Sequence, residues 1–141
     1  MQTLLATAAS ATGFARLLAA LHATALAEHL GGTGPFTLFA PTDDAFGRIA
    51  PAALAALFAD APRLRAVLSY HVVPGRVAAR EVWAGTLVTL EGSALLAGRD
   101  EGRLTVNGTR VMVADMAATN GLIHVVGRVL VPRRISLDAA A

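Results

Sequence analysis

The chain has 141 residues, 55% of them hydrophobic and 16% charged, with a formal net charge of +2. This composition excludes a disordered chain, and the length fits one domain rather than two. All twelve basic residues are arginines, so the pI of about 10.4 reflects the lack of lysine rather than a basic face. We therefore predict no nucleic-acid partner. The lack of cysteine excludes disulfides and thiolate metal sites.

The first half of the chain has a helical pattern. Residues 4–30 carry apolar side chains at helical spacing and predict one long helix or two helices broken near Gly13. A short strand at residues 36–40 follows, and Thr42 is placed to cap a short helix after it. Two more helices are predicted, one over residues 51–58 and one that starts at Asp60.

The second half is rich in valine, threonine and glycine, which favours strands. Its clearest signal is Asn107-Gly108 between two β-type runs, the pattern of a type I′ hairpin. The predicted strands are residues 71–73, 86–90, 93–97, 104–106, 109–111, 122–126 and 129–131. A helical half that leads into a strand-rich half without a linker predicts an α+β fold, with helices packed on an antiparallel sheet or sandwich.

The sequence carries none of the common catalytic motifs. It has no Gly-x-Ser-x-Gly elbow, no phosphate-binding glycine loop and no His-Glu-x-x-His. His22 and His29 are seven residues apart on the first predicted helix, but no third ligand stands at helical spacing, so we predict no metal site.

His71 lies at a predicted helix-to-strand junction, where an imidazole is often buried and needs partners on both nitrogens. The carboxylates of Asp43 and Asp44 are candidate partners. A catalytic arrangement of His71 with Asp43 and Ser69 lacks an oxyanion hole, so we interpret His71 as structural and the chain as no enzyme.

Two other positions are candidates for function. Asp115-Met116 closes a predicted strand just before a loop, which is typical of a strand end and also of an exposed recognition tip. His124 lies on the strand at residues 122–126 and is interpreted as a core or edge histidine.

Three segments stand in order along the chain. They are residues 36–46 (FTLFAPTDDAF), residues 68–75 (LSYHVVPG) and residues 106–111 followed by 115–132, which contain NGLIHVV and end in VLVP. Taken together, they resemble the fasciclin domain of the beta-Ig-H3/fasciclin family. The resemblance spans residues 4–132. It implies N-terminal helices packed on a wedge-shaped antiparallel β-sandwich, in a single domain over residues 1–141 with a C-terminal tail at 132–141.

The resemblance also implies which residues carry function. Those implied in adhesion and partner binding are Asp115, Met116, Tyr70, His71, Val72 and Val73. Those implied in an internal hydrogen-bond network are Thr42, Asp43 and His71.

The expected function is that of a non-catalytic cell-adhesion module without a cofactor. Its expected partner is a protein or polysaccharide on a cell surface or in a matrix. We expect a bacterial monomer that is secreted, periplasmic or at the cell surface, and that inserts in no membrane, although the first residues lack the basic region of an export signal. The alternative is a periplasmic binder of a small apolar ligand, which the aliphatic composition would suit.

Overall fold

Six helices are present in the computed structural model, which describes residues 3–32, 34–81 and 85–132. Beyond Pro132, the C-terminal tail expected from the resemblance therefore lies outside the described residues. The helices are α1 (Leu4–Ser10), α2 (Ala15–Ala23), α3 (Leu26–Leu30), α4 (Asp43–Gly47), α5 (Pro51–Ala59) and α6 (Ala61–Ser69).

Side-chain caps fix where several helices begin. The Thr42 hydroxyl accepts a hydrogen bond from the Ala45 amide at 3.1 Å, and an Asp60 carboxylate oxygen accepts one from the Arg63 amide at 3.2 Å. Both caps satisfy amides that have no partner within the helix, and both agree with the predicted helix starts.

The helical stretch predicted over residues 4–30 is divided into three helices. The break near Gly13 agrees with one of the two predicted alternatives, whereas the break at Ala25 is not predicted by either. Gly13 and Ala25 have φ angles of 95° and 61°, which interrupt the helical backbone. Before the second break, the Thr24 hydroxyl donates to the Ala20 carbonyl at 2.9 Å and occupies an acceptor at the end of α2. Apolar spacing continues across both breaks, so periodicity alone does not reveal them.

Seven strands form one sheet in the order β2-β1-β7-β6-β5-β4-β3. They are β1 (Phe36–Pro41), β2 (Val72–Pro74), β3 (Gly85–Val88), β4 (Ala94–Asp100), β5 (Arg103–Val106), β6 (Thr109–Ala118) and β7 (Gly121–Val126). A 3₁₀ turn, Ala79–Glu81, precedes β3.

Among the strands described, neighbouring strands pair antiparallel, except that β1 pairs in parallel with β7. The Leu90 amide donates to the Val72 carbonyl at 2.8 Å, so the chain after β3 reaches the opposite edge of the sheet at β2. The sheet thus curves back on itself as a sandwich does.

The predicted strand at residues 129–131 is wrong. These residues join no strand of the sheet, although they contain two valines. The Leu130 amide instead donates to Nε2 of His71 at 2.8 Å. The His71 side chain therefore accepts the hydrogen bond that a carbonyl of a neighbouring strand would accept if these residues formed a strand.

Two buried clusters hold the layers together. In the first, the helix-side cluster, Leu17, Leu21 and Leu64 pack with Leu38 of β1 and Ile123 of β7. Burial of such side chains stabilises the fold by roughly 1.5–3 kcal/mol each. This packing confirms the α+β class with helices on the sheet.

The second cluster, the sandwich cluster, lies between the two halves of the curved sheet. It includes Phe39, Tyr70, Leu95, Val106 and Val126, all at most 4% exposed. Because residues from β1, β4, β5 and β7 meet here, the cluster confirms the predicted sandwich-like architecture.

Candidate functional site

Asp115 lies at a bulge in β6. Between the pairs Val113–Val125 and Met116–Ile123, β6 advances by three residues while β7 advances by two. Asp115 has a φ of 60°, in the left-handed region that aspartate and asparagine enter more easily than most residues. Its side chain is 42% exposed. Bulges commonly re-aim a side chain in this way.

Hydrogen bonds hold this bulge on both sides. The Ala79 amide donates to Oδ1 of Asp115 at 2.8 Å, and the Asp115 amide donates to Nδ1 of His124 at 3.1 Å. Nε2 of His124 donates to the Val77 carbonyl at 2.8 Å. Among the described residues, none hydrogen-bonds to Oδ2 of Asp115. The site therefore presents a carboxylate oxygen from a fixed backbone.

His124 is the buried support of the bulge and is neutral. Its Nδ1 accepts from an amide, so the proton is on Nε2. Burial lowers the pKa of His124, against the raising effects of the Val77 carbonyl and the Asp115 carboxylate. The carboxylate oxygen of Asp115 lies 3.9 Å from Nδ1, but because that nitrogen is unprotonated the two groups form no ion pair.

Met116 is half-buried and packs against the helix-side cluster. The more exposed apolar side chains of the same strand are Met112, at 57%, and Val113, at 50%. Only part of the Met116 side chain is accessible to a partner.

The other segment implied in adhesion is buried. Tyr70, His71, Val72 and Val73 are 4%, 0%, 0% and 4% exposed. The Tyr70 hydroxyl donates to the Ala94 carbonyl and accepts from Nδ2 of Asn107, both at 2.9 Å. The structure does not bring these residues to the surface.

His71 has partners on both ring nitrogens, as its burial requires. The Leu130 amide donates to Nε2, so Nδ1 carries the proton and donates to the Val67 carbonyl, each at 2.8 Å. Burial lowers the pKa of His71 to about 4, outweighing the raising effect of the Val67 carbonyl. The imidazole is neutral at pH 7, and neither nitrogen is free to act as a base.

The expected partnership of His71 with Asp43 or Asp44 is wrong, because the ring bonds to backbone groups instead. Thr42 caps α4, and Oδ1 of Asp43 accepts from the Arg16 amide at 2.8 Å. Each of Thr42, Asp43 and His71 is hydrogen-bonded to backbone groups, and no hydrogen bond joins any two of these side chains in the part of the chain described.

Asn120 links distant parts of the chain, which sequence reasoning missed. Its Oδ1 accepts from the Leu4 amide at 2.9 Å, and its Nδ2 donates to the carbonyls of Leu30 and Gly32 at 2.7 and 3.0 Å. An Asn-Gly pair predicts a turn, and this prediction does not indicate that the Asn120 side chain also joins two helices to the sheet.

An apolar groove runs between α2 and α5. It encloses about 620 Å³ and is lined mainly by Ala15, Ala19, Ile49, Leu54 and Phe58. Within the described ranges, no three His, Cys, Asp or Glu residues are grouped closely enough to hold a metal ion. No described helix combines the length and apolar character needed to cross a membrane.

Comparisons with known proteins identify the family. The fasciclin domain profile matches residues 12–132. Protein sll1483 of Synechocystis is 39% identical over 132 residues, which are 92% of this chain and 73% of that protein. Cell surface glycolipoprotein MPB83 of Mycobacterium bovis is 33% identical over 109 residues, 76% of this chain and 48% of the glycolipoprotein.

A solved structure has the same fold. It is a FAS1 domain pair from the insect cell adhesion molecule fasciclin I, with a TM-score of 0.80 and 21% identity. The match covers 94% of this chain and 52% of that one, so this chain spans about half the length of the pair. From the profile match, the relatives and the fold together, the chain belongs to the fasciclin domain family.

Proposed function

We propose that this chain is a non-catalytic adhesion module that binds a protein or polysaccharide on a cell surface or in a matrix. Two observations support the proposal. Family members include a cell surface glycolipoprotein and a cell adhesion molecule. The one histidine that the sequence suggested for catalysis has both ring nitrogens bonded to backbone groups. In this proposal the module acts as a single domain and as a monomer, from a secreted, periplasmic or cell-surface location.

The observation that carries the proposed contact site is the exposed carboxylate of Asp115. Its backbone is fixed by His124 and its Oδ1 by the Ala79 amide. A partner that coordinates or hydrogen-bonds Oδ2 therefore loses little entropy in ordering the site. We propose Asp115, with the accessible part of Met116, as the contact.

In the same proposal, Tyr70, His71, Val72 and Val73 act from within the fold. A partner reaches a side chain only where solvent does, and these four are at most 4% exposed. They contribute to adhesion by holding β2 and the sandwich cluster in place, rather than by touching the partner.

The test is cell attachment to immobilised protein, comparing wild type with Asp115→Asn. Asparagine keeps an oxygen for the Ala79 amide and enters the left-handed region easily, so the change removes mainly the negative charge. The matched control is Asp44→Asn, because Asp44 is also exposed and has no hydrogen bond to its side chain among the described residues. Amide NMR spectra check that all three proteins are folded.

We expect attachment to wild type and to Asp44→Asn, with a clear loss for Asp115→Asn. Equal attachment to all three would show that the contact lies elsewhere on the module. Attachment no better than to albumin, for folded wild type, would count against the adhesive function itself.

The apolar groove favours a second candidate, a binder of a small apolar ligand. Its volume of about 620 Å³ is within the range of about 300–1,000 Å³ that is common for ligand sites. Native mass spectrometry of the purified protein tests this candidate. A bound lipid that Ala19→Trp displaces would support it, whereas protein of the bare chain mass would count against it.

A further inference from the structure

A polar groove lies between the β5–β6 turn and the residues that follow β7. It encloses about 440 Å³, and three arginines line it, Arg48, Arg110 and Arg128, together with Asn107 and Thr109. A second groove also has Arg48 and Arg128 in its lining, together with Ala45, Ile49 and Val129. The two arginines therefore line both grooves.

The charges in this groove are unbalanced. The guanidinium of Arg110 is paired with the Asp100 carboxylate at 2.8 Å. Arg48 and Arg128 are exposed and have no side-chain hydrogen bond or ion pair within the described ranges. No acidic residue is in the described lining of either groove. Two neighbouring cations without a counter-charge raise the local potential and attract an anion.

The backbones that carry these two arginines are tied together. Arg48 directly follows α4, and its amide donates to the Ala45 carbonyl at 3.2 Å. At the start of α4, the Thr42 amide donates to the Val126 carbonyl at 3.3 Å, at the end of β7. Arg128 follows two residues later. The chain beyond it is held by the bond from the Leu130 amide to His71. The two backbone positions that carry the arginines are therefore held by the fold.

We propose that Arg48 and Arg128 bind the carboxylate or sulfate groups of an acidic polysaccharide. Guanidinium groups bind such oxyanions through paired N–H donors, with geometric specificity. The inference rests on the proposed adhesive function and gives the module a contact for anionic polymers that is separate from Asp115, which lines neither groove.

The lining of the groove favours a polysaccharide over other anionic partners. Met112 is its one large apolar side chain among the described residues, whereas the centre of a protein interface is usually apolar and aromatic. No described aromatic residue lines it to stack on a base. Two unpaired arginines are also far fewer than the roughly six to ten phosphate contacts of a typical DNA-binding protein.

The experiment measures binding of the full chain to polygalacturonate, to dextran sulfate, to uncharged dextran and to duplex DNA by biolayer interferometry. The site variant is the double substitution Arg48→Gln and Arg128→Gln. The control is Arg63→Gln with Arg103→Gln, which removes the same charge from α6 and β5. These side chains also have no hydrogen bond or ion pair in the described ranges. Circular dichroism melting checks that both variants remain folded.

We expect wild type to bind one or both charged polymers, more weakly as salt is raised, and to leave dextran unbound. The site variant should bind at least about tenfold more weakly, while the control stays within about twofold of wild type. Tighter binding to polygalacturonate would identify carboxylate as the recognised group, and tighter binding to dextran sulfate would identify sulfate.

Three results would overturn the inference. One is equal weakening in the site and control variants, which means general charge attraction. Another is no binding of either charged polymer by wild type. The third is tighter binding to duplex DNA than to either polymer. Cell attachment separates this inference from the proposed function. Attachment that persists without polymer binding would contradict only the arginine site. Polymer binding through the arginines without cell attachment would contradict only the adhesive function.

Discussion

The segment of residues 70–73 and the bulge at Asp115 differ in what they offer a partner, although resemblance to the family marks both. The first is at most 4% exposed, and its histidine bonds to backbone at both nitrogens. The second has a carboxylate that is 42% exposed, supported from below by its own buried histidine, His124. Burial separates a residue that holds the fold from one that can touch another molecule.

His71 and His124 share the same protonation state and the same kind of hydrogen-bond partners. Each is neutral, each bonds to the backbone through both ring nitrogens, and burial lowers the pKa of each. His71 joins α6 to the chain after β7, whereas His124 fixes the bulge. Changes at the first region should therefore alter stability, and changes at the second should alter binding.

The largest expected effect follows the replacement His71→Ala. It leaves the Val67 carbonyl and the Leu130 amide without their partner and opens a cavity in a fully buried site. We expect the free energy of unfolding to fall by about 3 kcal/mol, measured by urea denaturation.

The control for this change is His22→Ala, on the exposed side of α2, which should cost about 0.5 kcal/mol or less. A similar small cost for His71→Ala would mean that its hydrogen bonds do not stabilise the fold, and the contrast between the two regions would fail.

The next effect is a loss of stability on mild acidification of the unchanged protein. The pKa of His71 is about 4 in the folded state and about 6.5 when unfolded, so the unfolded chain binds more protons between these values. Stability is complete above pH 6.5 and falls as the pH drops towards 4. For His71 alone this amounts to about 2 kcal/mol between pH 7 and pH 5. The lowered pKa of His124 acts in the same direction.

Urea denaturation at pH 7, 6 and 5 measures this loss before most carboxyl groups begin to titrate. An unfolding free energy that stays constant over this range would contradict the neutral, buried state of His71.

Local sequence signals predicted much of the fold. Asn107 and Gly108 have φ angles of 51° and 78°, as a type I′ turn requires. The caps by Thr42 and Asp60 also lie where helix starts were predicted. These features depend on a few neighbouring residues, and so the sequence pattern contains them.

Other features depend on partners far away in the chain. The parallel pairing of β1 with β7 joins residues about 85 positions apart, and no local pattern encodes it. The bulge at Asp115 is a mismatch in register with β7, which alternation within β6 does not reveal. The sequence therefore marked Asp115 as a candidate, but its conformation and the support from His124 needed the structure.

The next smaller effect is the difference in stability between Asp115→Ala and Asp115→Gly, with the alanine variant the less stable of the two. Alanine at a φ of 60° is strained, and both changes remove the acceptor of the Ala79 amide. We expect Asp115→Ala to lower the free energy of unfolding by about 1–2 kcal/mol, and Asp115→Gly to lower it by about 1 kcal/mol less. Both should lose cell attachment to the same extent, because both lack the carboxylate. If cells instead attach better to the more stable Asp115→Gly than to Asp115→Ala, the backbone conformation of the bulge, rather than the carboxylate, determines attachment.

The smallest expected effect comes from Tyr70→Phe, which tests whether the buried segment influences the surface. The substitution keeps the ring in the sandwich cluster and removes only the hydroxyl, which bonds to the Ala94 carbonyl and to Asn107. We expect a loss of about 1 kcal/mol in the free energy of unfolding and unchanged cell attachment. Asn107 is itself exposed at the β5–β6 turn, so its amide could transmit a change outward. Reduced attachment by folded Tyr70→Phe would therefore show that the buried segment shapes the binding surface through this turn, and the division between a supporting region and a contacting region would no longer hold.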